Sequence, residues 1–234
     1  MKILALDTSA TVASIAVTED LTPLAVYTLN NKNTHSETLL PMIESALKAL
    51  SLTAEDIELF ALSAGPGSFT GVRIGAATLK GLAFAKERPC VEVSTLEALA
   101  NNLVIKKGLI CPVMNARRSQ VYTALFRSDG KTLERVLPDA AISISELDGI
   151  LAEYKEPIAL VGDGYEISEE GLKKAELDFV PEALRLQSAL SVAAIAFYKY
   201  KAGDKTTDAA LSVNYLRPSQ AERERAEREK QSKS

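Results

Sequence analysis

The chain has 234 residues, of which 47% are hydrophobic and 25% charged, and its net charge is −4. That is enough chain for one large domain or two modest lobes. It excludes any general electrostatic pull toward nucleic acid, and no apolar run reaches membrane-spanning length.

Residues 2–7 form a short apolar run ending at Asp7 and read as a buried strand, too short for a signal peptide. Thr8-Ser9-Ala10 makes a turn, and residues 11–18 and 23–30 read as two more strands of an antiparallel meander. A helix over 38–50 carries Leu39, Leu40, Ile43, Leu47 and Leu50 on one stripe, with Pro41 in its first turn or at a kink. Thr53 to Asp56 resembles a capping box for one short turn. Strand 59–64 leads into Gly65-Pro66-Gly67-Ser68-Phe69-Thr70-Gly71 and a helix over 71–86. Residues 90–93 are a short strand, and Ser94 to Glu97 caps a helix running to about Leu103.

The second half repeats this order. Strands are expected at 109–114, 120–127 and 131–137, with Asp129-Gly130 turning the last hairpin. A helix at 145–154, a strand at 158–161 ending in Gly162-Asp163-Gly164, a helix at 166–175, a weak strand at 177–180 and a helix at 188–201 follow. No residues match between the halves, so the repeat is one of topology. Two βββαβα lobes, each RNase H-like, side by side predict an α/β fold of the actin, sugar kinase and Hsp70 superfamily. The expected division is residues 1–102, residues 103–217 and a charged tail, 218–234, hinged near 101–108. Sequence leaves open whether the last helix packs back on the first lobe. The tail, with Glu224 and Arg228 four residues apart, reads as a solvated helix or a disordered end.

The glycine-rich turn joins a strand to a helix, so its N–H groups sit at a helix N-terminus, where anions are favoured. Gly65 and Gly67 permit φ > 0 or close backbone approach, Pro66 stiffens the bend, and Ser68 or Thr70 can cap the helix. It is not a Walker loop, because no Lys-Ser/Thr follows the glycines. We expect a structural role for Gly65, Pro66, Gly67, Gly71 and Arg73, with Arg73 held by a nearby carboxylate or carbonyl. A nucleotide in a cleft between two such lobes would meet Asp7, Thr8 and Ser9 on one side and Gly162, Asp163 and Gly164 on the other. That site reads as degenerate, since the first turn lacks the glycine that lets phosphates approach. Its counterpart, Asn115-Ala116-Arg117-Arg118-Ser119, has neither glycine nor carboxylate, and its arginines either bind an anion or solvate a hairpin.

His35 is the only histidine, which rules out a metal site built on two imidazoles and reads as a capping or packing group. Cys90 and Cys111 form no Cys-x-x-Cys pair and read as buried thiols of a reducing compartment. No metal, cofactor or catalytic residue is expected. Helix 71–86 instead places Ala77, Gly81 and Ala85 four apart, so one face is nearly bare backbone. Glycine inside a helix costs about 1 kcal/mol against alanine, and a helix that accepts it usually has another helix packed closely there. With Leu39, Ile43, Ala46 and Leu47 beside it, this face is the expected partner surface.

Asp7-Thr8-Ser9, His35-Ser36-Glu37, Leu40-Pro41, the run Gly65 to Gly75 (GPGSFTGVRIG), and Ala116-Arg117-Arg118 with Val121-Tyr122 together resemble the TsaB family, also called YeaZ. The resemblance is close over most of residues 1–125, loose beyond, and absent from the tail. It implies a bacterial cytoplasmic subunit needed to form N6-threonylcarbamoyladenosine at position 37 of tRNAs reading codons that start with A. It implies no catalysis by this chain, pairing with a TsaD-type catalytic subunit, a TsaE-type ATPase as a further partner, tRNA met only through the complex, and a homodimer when alone. The His-x-x-x-His metal motif of TsaD has no counterpart here, and Asn115 stands where many relatives carry Asp. Two other classes are weighed against this one. A glycoprotease-like peptidase is disfavoured as a metalloenzyme by the single histidine, and a small-molecule kinase by the missing phosphate-turn glycine.

Overall fold

The computed structural model describes residues 1–31, 34–84 and 86–217. Ala85 and the tail 218–234, both named above, lie outside the described residues. The first half contains β1 (Lys2–Asp7), β2 (Ala13–Glu19), β3 (Thr22–Leu29), α1 (His35–Ala49), β4 (Leu59–Ser63), α2 (Phe69–Phe84), β5 (Cys90–Val93) and α3 (Thr95–Asn101). The second contains β6 (Gly108–Asn115), β7 (Gln120–Ser128), β8 (Leu133–Ser143), α4 (Ile144–Leu151), β9 (Ile158–Val161), α5 (Tyr165–Gly171), β10 (Leu177–Asp178) and α6 (Ala189–Lys201).

Each half builds a five-stranded sheet with the same order, β3-β2-β1-β4-β5 and β8-β7-β6-β9-β10. In both, the first three strands pair antiparallel and the remaining two join in parallel. This is the duplicated α/β arrangement of the actin-like superfamily, as the element order implies.

Period-two alternation divides the first sheet between two cores. Leu4, Leu6, Ile15, Val17, Phe60 and Leu62 face α1 and α2. Ile3, Ala5, Ala16, Ala61, Val91 and Val93 face the opposite way and are covered by Ala189, Val192, Ala193 and Ala196 of α6. Small residues on both sides let α6, the last helix among the described residues, lie close to the strands and cover the first sheet. Conversely, Leu96, Leu99 and Ala100 of α3 pack into the core of the second sheet. The halves are thus interlocked by exchanged helices.

Two boundaries differ from expectation for identifiable reasons. Helix α1 starts at His35, because the Glu37 carboxylate accepts hydrogen bonds from Thr34 N (3.3 Å) and Thr34 Oγ1 (2.8 Å), making Thr34 the cap. Pro41 consequently sits within the helix, on its exposed side. Strand β8 runs through Pro138 to Ser143, and as the edge of its sheet it needs no outward N–H from the proline.

Candidate functional site: the interlobe cleft and the outer face of α2

Four glycines of the Gly65–Gly75 run lie where a Cβ would strike neighbouring atoms. At Gly67 it would meet the Ser9 carbonyl, at Gly71 the Thr8 carbonyl, at Gly75 the Thr8 hydroxyl, and at Gly65 the carbonyl of Asn214. Three of the four contacts are with the turn after β1. Hydrogen bonds join the two turns: Ser68 N donates to Ser9 O (2.6 Å) and Thr8 Oγ1 to Gly71 O (2.8 Å). Ser68 Oγ accepts from Gly71 N (3.2 Å) and caps α2. The run therefore presses the first turn of α2 against Thr8 and Ser9.

Asp7 lies behind this seam with no exposed surface. One carboxyl oxygen accepts from Ser9 N (2.9 Å) and Ser9 Oγ (2.6 Å), and the other has no hydrogen-bond partner. Burial pushes its pKa up, opposed by the bonds from Ser9. His35 Nε2 lies 2.7 Å from Ala10 O, and since a carbonyl only accepts, Nε2 carries the proton. That bond ties the start of α1 to the same turn.

A cleft of about 980 Å3 separates the turn after β1 and the glycine run from the β6–β7 turn and Asp163. Among the six residues suggested for a nucleotide, Ser9 and Asp163 line it; Asp7, Thr8, Gly162 and Gly164 stand behind its walls. Asp163 keeps surface open to the cleft. Desolvation by the surrounding walls nevertheless raises its pKa to about 6, opposed by a bond from Gln187 Nε2 (3.2 Å), with the nearby Asp7 carboxylate adding to the rise. Among the described residues, no group of three or more His, Cys, Asp or Glu side chains is placed to hold a metal ion.

The mouth of the cleft is crossed by residues 211–217, of which Asn214 to Arg217 line it. Leu211 is buried in the α1–α2 core. Asn214 N donates to Ala64 O (2.8 Å), and the Tyr215 ring lies 4.6 Å from that of Phe69. Arg217 then reaches the second half, bonding to Ala116 O (3.4 Å) and to Gln120 Oε1. The carboxylate or carbonyl expected to hold Arg73 is not found among the described residues. Arg73 Nε donates to the Tyr215 hydroxyl (2.8 Å) and its guanidinium stacks on Phe69 at 3.8 Å.

The expected partner surface divides in two. Leu39, Ile43, Ala46 and Leu47 are buried against the first sheet and belong to the core, so that stripe faces inward. Ala77 and Gly81 are exposed, and a Cβ at Gly81 would meet nothing within 4 Å. Arg73, Ala77, Gly81 and Phe84 make one outward stripe, with Phe84 73% exposed, while on α1 Leu40 is 47% exposed.

The family model described as TsaD, tRNA N6-adenosine threonylcarbamoyltransferase, matches residues 26–219. The tRNA threonylcarbamoyladenosine biosynthesis protein TsaB of Bacillus subtilis is 38% identical over 162 residues, 69% of this chain and 71% of that protein. The chain belongs to the TsaB family. The Escherichia coli TsaB is 37% identical over 55% of this chain and 56% of its own length. A Pseudomonas aeruginosa crystal structure, described as an uncharacterized protein with similarity to peptidase YeaZ, superimposes with a TM-score of 0.80 at 25% identity. That match covers 92% of this chain and 99% of the other. The TsaB residues quoted above, Asp7-Thr8-Ser9 and Gly65 to Gly75, are the two segments that meet at the seam. Among the described residues no helix is long and apolar enough to cross a membrane.

Proposed function

We propose that this chain is a non-catalytic subunit of the cytoplasmic machinery that forms N6-threonylcarbamoyladenosine at position 37 of tRNAs reading codons that begin with A. In this reading it binds and supports a TsaD-type catalytic subunit, and a TsaE-type ATPase joins them. Family membership supports the pathway. The observation that carries the subunit role is the open face of α2, where a Cβ at Gly81 would meet nothing within 4 Å beyond its own helix. Glycine there costs about 1 kcal/mol relative to alanine, a cost offset when a second helix crosses at about 8–10 Å over small residues. Phe84 and Leu40, both exposed, add apolar area to the surfaces of the two helices. An isologous version of the same contact gives a homodimer of the chain alone.

Absence of turnover is supported by Asp7. Its carboxyl group is sealed behind the seam and does not line the cleft, so it meets no bound phosphate or metal without rearrangement. The test is reconstitution of tRNA threonylcarbamoylation from purified TsaD-type and TsaE-type subunits with and without this chain. Modification that requires the chain, while the chain alone gives none, is the expected result. Equal modification in its absence overturns the reading.

A further inference from the structure

The turn between β6 and β7 holds three consecutive residues in left-handed conformations: Arg117 (φ 64°), Arg118 (φ 54°) and Ser119 (φ 55°). That backbone is unfavourable for residues with a Cβ and least so for Asn and Asp. A turn shaped by geometry alone is made from Gly, Asn or Asp. Here two of the three positions carry arginine instead, and both arginines are exposed. Among the described residues, neither has a carboxylate within ion-pairing distance.

A third guanidinium, Arg217, lines the same opening, and a fourth, Arg73, lies beside it on the outer face of α2. Among the described residues, Arg217 bonds neutral acceptors, Ala116 O and Gln120 Oε1. Arg73 rests on Phe69 and the Tyr215 hydroxyl. Arg117 and Arg217 line the cleft with Tyr122, Tyr215 and Phe69, against a single carboxylate, Asp163. A chain of net charge −4 thus sets Arg117, Arg118 and Arg217, none ion-paired among the described residues, beside several aromatic rings at one mouth. Guanidinium forks match phosphate oxygens, and aromatic faces beside them stack bases of any sequence.

We propose that this rim contacts the sugar–phosphate backbone of RNA directly. The identity of that RNA as tRNA rests on the functional reading above; the contact itself rests on the rim.

The test replaces both turn arginines by asparagine, Arg117→Asn with Arg118→Asn, which tolerates the left-handed backbone and removes both charges. Binding of tRNA is measured across a salt series for the full chain assembled with its TsaD-type subunit. Two lost phosphate contacts predict affinity about tenfold weaker near 0.1 M salt and a log–log salt slope shallower by roughly 1.5, with melting and partner pull-down unchanged. Unchanged affinity and slope overturn the proposal. So does loss of the pull-down with the slope intact, which assigns the arginines to an acidic protein surface. If the assembly does not form at all, the functional reading fails instead. The chain alone with tRNA at low salt then decides: a slope lost in the double variant supports the rim, and identical curves overturn it.

Discussion

The carbonyl of Asn214 occupies the space that a Cβ on Gly65 would fill, so a side chain at Gly65 and the crossing of residues 211–217 over the cleft exclude one another. Gly65 also has φ +109°, a conformation that side chains strain. This one glycine lets the C-terminal segment dock on the first half before Arg217 reaches the second. Gly65→Ala is expected to lower stability by about 1–3 kcal/mol and to make residues 211–217 more susceptible to limited proteolysis. An unchanged melt and cleavage pattern would show that the segment docks without this contact.

Two glycines of α2 are expected to respond with opposite signs. A Cβ at Gly71 would collide with the Thr8 carbonyl, whereas one at Gly81 would meet nothing within 4 Å. Gly71→Ala should destabilise by about 1–3 kcal/mol, as overpacking does. Gly81→Ala should stabilise the isolated chain by about 0.5–1 kcal/mol through helix propensity. Denaturant melts of the two variants check this, and a shift of the same sign for both contradicts the described packing.

Most of the architecture was legible because it is written in short-range patterns. Apolar runs, the Asp129-Gly130 turn and the Ser94 cap mark elements whose order, once repeated, implies two sheets of the same topology. The Thr34–Glu37 cap carries a readable signal, Thr-x-x-Glu, but it lies ahead of the apolar stripe that marks the helix most strongly. The inward turn of Leu39, Ile43, Ala46 and Leu47 was not legible. A broad apolar helix surface does not reveal how much of it the sheet consumes, and here the sheet takes those four and leaves Leu40. Residues 211–215 alternate apolar and polar side chains as a strand would, yet they form none. The placement of residues 211–217 depends on contacts with Ala64, Phe69 and Gln120, nearly a hundred residues or more away in sequence, and no local pattern encodes such contacts.

Asp163 makes stability depend on pH in a predictable direction. Its folded pKa is raised to about 6, chiefly by desolvation. The folded state therefore holds this proton more tightly than the unfolded state, and the stability it contributes is present at acid pH and lost as pH rises through about 6. Asp163→Asn keeps an oxygen for the Gln187 bond and removes the charge. It should raise the melting temperature at pH 7.5 and do so less at pH 5. Equal effects at both pH values would mean that the carboxyl titrates as an ordinary exposed one.

The central claim, that the open face of α2 receives the TsaD-type subunit, is tested most directly by Gly81→Arg. A Cβ at Gly81 would meet nothing within 4 Å beyond its own helix, so the arginine is accommodated in the free chain. At a helix crossing of about 8–10 Å, however, it either separates the helices or buries an unpaired charge. The measurement is a pull-down of the variant with the TsaD-type subunit beside its thermal melt. A normal melt with binding lost, and tRNA threonylcarbamoylation lost with it, is the predicted result. A normal melt with binding retained contradicts the claim and places the contact elsewhere on the molecule.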